Sequence, residues 1–227
     1  MSESNMITIH VDGQPLEAEP GEMLIAVIDR AGLASRVPRF CYHPGLSIAG
    51  NCRMCMVEVE GVPKPFPACQ TPVTDAMKVS TGSELAVKAR QAVMEFLLIN
   101  HPLDCPVCDQ GGECELQDVA LAAGDCHSRY REEKRQVADP DLGSLIATCL
   151  NRCIHCMRCV RFLEEIAGRR ELGGHGRGEK SRIGTADGRP LESELSGNII
   201  DLCPVGALTS KAYRFQGRAW ELRNHQG

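Results

Sequence analysis

Seven of the 13 cysteines in this 227-residue chain fall in C-x2-C steps, and three of them, Cys153, Cys156 and Cys159, follow one another at that interval. Cys203-Pro204 follows after 43 residues. Two-residue spacers let successive thiolates reach three corners of one compact cluster, and a proline turns the chain away after a fourth ligand. Zinc seldom uses three evenly spaced cysteines with a remote fourth. This group points to a [4Fe–4S] cluster, and it limits what the surrounding chain can fold into.

Two further groups follow the same logic. Cys41, Cys52, Cys55 and Cys69 are spaced C-x10-C-x2-C-x13-C. Four thiolates complete either a zinc site or an iron–sulfur cluster. Only one close pair is present, whereas zinc fingers usually join two knuckles, so [2Fe–2S] is favoured. His101, Cys105, Cys108 and Cys114 are spaced H-x3-C-x2-C-x5-C around a loop rich in proline and glycine. A zinc site of three cysteines and one histidine satisfies these ligand types equally well, and His101 also suits the C-terminal end of a helix.

Eleven cysteines and His101 supply the twelve ligands that three four-ligand clusters require, which leaves Cys126 and Cys149. Cys149 breaks the two-residue rhythm, and both are expected to be buried free thiols. His155, inside the Cys153–Cys156 loop, is expected to modulate that cluster rather than bind it. The other histidines complete no further site.

Composition narrows the class. Hydrophobic residues at 43% exclude a disordered tail and charged residues at 24% exclude a membrane-embedded chain, while a net charge of −5 offers no footprint for nucleic acid. No basic start with an apolar stretch marks a secretory signal, and no apolar run nears the ~18 residues needed to span a bilayer. The reading is a cytoplasmic chain, and in a reducing compartment so many cysteines serve as ligands more often than as disulfides.

Along the chain, residues 6–80 read as a small β-rich unit. Met6–Val11 alternates and meets the turn Asp12-Gly13, which predicts a hairpin. Glu22–Gly32 predicts a short helix with Leu24, Ile25 and Ile28 on one face, and Met56–Glu60 a strand. A helix is expected at about 82–100, with Thr81 and Glu84 at capping-box spacing and Leu85, Ala89, Ala92, Val93, Phe96 and Leu97 forming its apolar stripe. A short helix is expected over Gln117–Ala123. Gly173–Gly178 and the charged runs Arg129–Arg135 and Glu192–Glu194 read as surface. No P-loop, G-x-S-x-G or H-E-x-x-H motif is present.

Four stretches carry a family resemblance: Gly50–Glu58, Asn100–Asp118, Asn151–Arg161 and Ser193–Thr209. In this order they resemble the N-terminal iron–sulfur portion of the large iron–sulfur subunit of respiratory complex I, NADH:quinone oxidoreductase. The resemblance implies an α+β chain of three modules. A β-grasp, ferredoxin-like [2Fe–2S] domain spans 1–80, a helical histidine/three-cysteine [4Fe–4S] module 81–122, and a ferredoxin-like four-cysteine [4Fe–4S] module 123–227.

It assigns Cys41, Cys52, Cys55 and Cys69 to the [2Fe–2S] cluster, His101, Cys105, Cys108 and Cys114 to one [4Fe–4S] cluster, and Cys153, Cys156, Cys159 and Cys203 to the other. It also implies one-electron relay from a flavin-containing NADH-oxidising subunit, and onward through a ferredoxin-like iron–sulfur subunit toward quinone. The chain would then be peripheral on the inner face of the cell membrane, among the other peripheral-arm subunits, with no direct membrane insertion. No residue is expected to act as acid, base or nucleophile. Family members usually continue into a large molybdopterin-oxidoreductase-like domain, and this chain stops at Gly227. The diaphorase iron–sulfur subunit of NAD-reducing hydrogenases, or a formate dehydrogenase module, is the alternative context. A zinc-stabilised scaffold is the alternative from another class.

Overall fold

The computed structural model describes residues 6–125 and 127–223, and Cys126 and His225 lie outside them. The chain divides into two compact units. The first comprises the chain up to Tyr42, Ile48–Phe96 and Ala123–Asp125, and the second holds the rest.

The first unit begins with the expected hairpin. Strands β1 (Ile7–Val11) and β2 (Gln14–Ala18) pair antiparallel, with Ile7 opposite Ala18 and Val11 opposite Gln14. Asp12 and Gly13 between them have φ of 51° and 81°. Two positive φ values are what a two-residue turn needs to match the twist of its strands. Helix α1 (Leu24–Arg30) buries Leu24, Ile25, Val27 and Ile28. It ends at Gly32, with φ of 73°, where the Leu33 N–H donates to the Ile28 carbonyl at 3.0 Å.

Strands β3 (Met56–Val59), β4 (Phe66–Pro67) and β5 (Lys78–Ser80) complete a mixed sheet of order β2-β1-β5-β3-β4. Only β1 and β5 run parallel. The core under this sheet contains Ile9, Val11, Leu24, Ile28, Val57 and Val79, and two cysteines, Cys55 and Cys69, are part of it. Burial of the aliphatic side chains therefore fixes where these two thiols sit.

Helix α2 (Glu84–Leu98) departs from expectation at both its start and its face. Its cap is Ser83, whose Oγ accepts the Ala86 N–H at 3.2 Å. Thr81 is engaged elsewhere: its Oγ1 donates to Asp12 Oδ2 at 2.6 Å and its N–H to Asp12 Oδ1 at 2.7 Å. The buried face is Ala86, Arg90 and Met94, while Phe96 is 74% exposed and Ala92 is also exposed. Hydrophobicity alone misses this face because Arg90 lies on it. The guanidinium is satisfied by carbonyls of Ala86, Arg36 and Thr81, so burial leaves its charge-bearing group hydrogen-bonded.

In the second unit, α3 (Glu115–Ala123) starts immediately after Cys114. Strand β6 (Ile146–Thr148), helix α4 (Arg158–Glu165), the strands β7 (Gly173–His175) and β8 (Arg182–Gly184), helix α5 (Asn198–Leu202) and strand β9 (Leu208–Ser210) follow. β6 pairs antiparallel with β9, and β7 with β8. Leu142, Ile146, Leu163, Leu172, Ile183, Ile199 and Leu208 form the core.

Two surface expectations change here. Gly173–Gly178 is partly strand β7, and Gly176, with φ of 78°, packs so closely on the Lys180 carbonyl that a β-carbon would overlap it. The Arg129–Arg135 run is not wholly solvated. Lys134 Nζ donates to the Leu98 and Ile99 carbonyls at 3.1 and 2.8 Å, and the Arg135 N–H donates to Asn100 Oδ1 at 2.9 Å. The last carbonyls of a helix lack partners within it, so a lysine there is drawn inward.

Candidate metal centres

In the first unit, Cys41, Cys52, Cys55 and Cys69 are all buried. Their thiols touch in sequence: Cys52 and Cys69 each bond to Cys41, and Cys69 also bonds to Cys55. Cys41 and Cys55 accept these bonds and are held below the usual thiol range, chiefly by the Cys52 thiol for the first and the Cys69 thiol for the second. Cys52 and Cys69 donate and are pushed up for the same reason, burial adding to it. Peptide N–H groups also converge on sulfur. The Cys41 N–H donates to Cys52 Sγ at 3.4 Å, and the Asn51 and Cys52 backbones face Cys41.

The local chain is built for this approach. Arg53, between Cys52 and Cys55, has φ of 56°, a left-handed conformation that tightens the loop. Gly50 lies so near the Gln70 side chain that any β-carbon would overlap it, which joins the Cys52 loop to the residue following Cys69.

In the second unit, Cys105, Cys108 and Cys114 share one loop. Cys105 is exposed and the other two are buried. The backbones of Leu116 and Gln117, in the first turn of α3, face Cys114 Sγ. Gly111 sits 2.8 Å, measured from an ideal β-carbon, from the Cys105 carbonyl, so a side chain there would collide with the loop. His101 precedes the loop, half-buried, and burial pushes its imidazole down to about 4. It is therefore neutral at pH 7, the protonation state a metal ligand requires. Its charged neighbours are Asp104, Arg152 and Lys134.

Cys153, Cys156, Cys159 and Cys203 line a single cavity whose other walls include Leu150, Ile154, Met157, Ile183, Val205 and Leu208. Burial pushes the thiols of Cys153 and Cys203 up to about 11 and that of Cys156 to about 12, and Cys159 rises well above its usual value. Neutral thiols facing one another in an apolar cavity resist ionisation until cations compensate them. His155 and Met157 have φ of 52° and 63°, so the loop wraps the cavity through two left-handed non-glycine residues. The His155 N–H donates to Cys153 Sγ at 3.4 Å, whereas its ring Nε2 lies 3.2 Å from the Ser181 carbonyl.

Cys149 is half-buried rather than buried, lies outside that cavity's lining, and bonds through its N–H to the Ala207 carbonyl at 2.9 Å. Among the described residues, no three His, Cys, Asp or Glu side chains close on a common point as the ligands of one bound ion do. Thiols aimed into an apolar cavity, with peptide N–H groups on their sulfurs, fit a multi-iron cluster.

Three stretches match known domain models. Residues 4–84 match a 2Fe-2S iron-sulfur cluster binding domain, residues 90–129 the NADH-ubiquinone oxidoreductase-G iron-sulfur binding region, and residues 143–209 the ferredoxin-like domain of NADH-quinone oxidoreductase subunit 3. The chain is 56% identical over 219 residues to the mitochondrial 78 kDa subunit of Neurospora crassa NADH-ubiquinone oxidoreductase, covering 96% of this chain and 29% of that one. It is 53% identical over 219 residues to the 75 kDa subunit of the Reclinomonas americana enzyme, covering 96% and 31%.

The chain belongs to the family of the large iron–sulfur subunit of complex I.

It spans about three tenths of the length of these curated relatives. A solved chain of an NAD+-reducing [NiFe]-hydrogenase superposes with a TM-score of 0.82 at 30% identity, covering 93% of this chain and 90% of that one. Within the complex I family match, each of the three ligand groups falls inside one domain.

Sequence reasoning missed three arginines of the second unit. Arg152, Arg158 and Arg161 are all buried. Arg158 and Arg161 oppose the rise of the Cys156 thiol, and Arg161 donates to the Cys156 carbonyl at 3.5 Å and also to that of Ser47. A signal existed: Arg152 and Arg158 each directly precede a cysteine of the C-x2-C series. Among the described residues no helix is long and apolar enough to cross a membrane.

Proposed function

We propose that the chain is an electron-transfer subunit of NADH:quinone oxidoreductase, through which single electrons pass from a flavin-containing NADH-oxidising partner toward quinone. In this reading it holds one [2Fe–2S] cluster on Cys41, Cys52, Cys55 and Cys69. It holds one [4Fe–4S] cluster on His101, Cys105, Cys108 and Cys114, and a second on Cys153, Cys156, Cys159 and Cys203. The apolar cavity lined by the last four cysteines carries the reading. When bound, such clusters supply one-electron redox chemistry.

The chain's own residues supply ligands, an apolar shell and backbone N–H groups on sulfur, which tune potential. This reading assigns none of them a role as general acid, base or nucleophile. The mixed sheet with α1 packed against it supports a β-grasp fold for 1–80. The modules at 81–122 and 123–227 complete the α+β arrangement. The partners are then the flavin subunit, a ferredoxin-like iron–sulfur subunit and other peripheral-arm subunits, on the inner face of the membrane.

The likeness to the hydrogenase chain favours a second reading, in which the same relay serves an NAD-reducing hydrogenase. Identity of 53% and 56% to the complex I relatives, against 30% to that chain, favours quinone as the destination.

Anaerobic purification with metal analysis and EPR of the dithionite-reduced protein tests the relay. About ten iron per chain (two, four and four from the cluster types), with overlapping [2Fe–2S] and [4Fe–4S] signals, is expected. Stoichiometric zinc with no paramagnetic signal would overturn it in favour of a structural scaffold. Copurification with a hydrogenase subunit instead of quinone-reductase subunits would overturn the assignment to complex I.

A further inference from the structure

Two buried arginines of the second unit each adjoin one proposed ligand and grip a carboxylate that adjoins another. Arg152 precedes Cys153, and its Nε and Nη2 donate to Asp104 Oδ2 at 3.0 and 2.5 Å. Asp104 in turn precedes Cys105. Arg158 precedes Cys159, and its Nη1 and Nη2 donate to Glu115 Oε1 and Oε2 at 2.8 and 3.1 Å. Glu115 follows Cys114. The arginine side chains are only 10% and 7% exposed.

Both pairs therefore join the same two ligand groups. The segment after Cys203 joins them a third time. Cys114 Sγ lies 3.7 Å from the Pro204 carbonyl, and the Gly206 backbone packs against Cys108 Sγ so closely that a β-carbon would overlap it.

We propose that Arg152–Asp104 and Arg158–Glu115 are positioning pairs that set the spacing and the electrostatics of the gap between the two [4Fe–4S] sites. This rests on the ligand assignment of the preceding section. Arg158 meets both oxygens of Glu115 in a fork and Arg152 meets one oxygen of Asp104 with two N–H groups, and two donors fix orientation as well as distance, which a single point contact does not. The arginine charges are held out of water and act strongly on their neighbours, whereas the Asp104 and Glu115 side chains are 31% and 46% exposed and act less. The cation stabilises an added electron on either side and the carboxylate opposes it. Within each intact pair the carboxylate offsets part of the cation's effect, leaving a rigid strut with a reduced net positive field.

The test uses Arg158→Met, Glu115→Gln and the double variant in the native complex. Redox titration followed by EPR reads the potentials, and the spin–spin splitting between the two reduced clusters reads their spacing. Arg158→Met is expected to move the reduction equilibrium of a neighbouring [4Fe–4S] cluster about tenfold toward the oxidised form, about 59 mV for one electron. Glu115→Gln is expected to move it the opposite way. The double variant moves it back toward the wild-type value, to a shift smaller than that of Arg158→Met alone, while the splitting changes.

Full iron content with unchanged potentials and splitting in all three variants overturns the proposal. If Arg158→Met loses iron, Arg158→Lys decides, since it keeps the charge without the fork. An altered splitting at nearly constant potential supports the strut, and an unaltered splitting overturns it. Absence of [4Fe–4S] signals from the wild-type complex would instead remove the ligand assignment itself, before any variant is compared.

Discussion

The backbone of Gly206 lies against Sγ of Cys108, so near that a β-carbon at position 206 would overlap the sulfur. The two residues are far apart in sequence, and each belongs to a different ligand group's neighbourhood. Gly206→Ala is expected to displace Cys108 and to lower iron from about ten to about six per chain, the loss of one four-iron cluster. The EPR signal tied to His101 should disappear before that tied to Cys203. Full iron content in the alanine variant would show that the sulfur can move aside.

His101 is held neutral by burial, at about 4. A neutral imidazole in place of a thiolate leaves a cluster less negative and favours its reduction, as in Rieske centres. His101→Cys should therefore assemble a [4Fe–4S] cluster with a lower midpoint potential, read by redox titration with EPR. An equal or higher potential would contradict this account of the histidine.

Burial by itself would raise the Asp12 carboxyl, but hydrogen bonds from Thr81 and Arg36 outweigh it and hold the group below its usual range. A carboxylate lowered in the folded state stabilises the protein above its unfolded pKa of about 3.9, and that contribution is lost as pH falls through the folded value. Asp12→Asn, which tolerates the positive φ of this turn residue, should cost about 1–2 kcal/mol at pH 7 in urea unfolding. The difference from wild type should shrink below about pH 4. A constant difference down to the most acidic conditions in which the protein stays folded would locate the effect in the turn rather than in the charge.

Cys149 lies four residues before Cys153, yet it stands apart from the thiol-lined cavity, and burial raises its thiol. Cys149→Ala should retain all iron, whereas Cys203→Ser should lose about four atoms per chain. Iron analysis of the two variants side by side checks the assignment, and a loss in the first would make Cys149 a ligand.

Much of the fold was legible because local rules and tertiary packing agree. The Asp12-Gly13 hairpin needs only two positive φ values, and α1 needs only its apolar stripe and a terminal glycine. Agreement failed where side chains found distant partners. Thr81 has the spacing of a helix cap, but Asp12 takes its hydroxyl and Ser83 caps α2 instead. Arg90 reads as a solvent residue, and three carbonyls from separate segments allow it to be buried.

Thiol spacing, read alone, keeps Cys52 near Cys55, Cys105 near Cys108, and Cys153, Cys156 and Cys159 near one another, because a two-residue spacer limits how far apart consecutive sulfurs can lie. Nothing in that spacing could show that Asp104 meets Arg152, that Glu115 meets Arg158, or that Gly206 must lack a side chain beside Cys108. These contacts join segments 43 to 98 residues apart, taking Glu115 to Arg158 and Cys108 to Gly206 as the limits. Over such separations the chain imposes no geometry of its own, so only the packing of the folded unit decides which charges and sulfurs become neighbours.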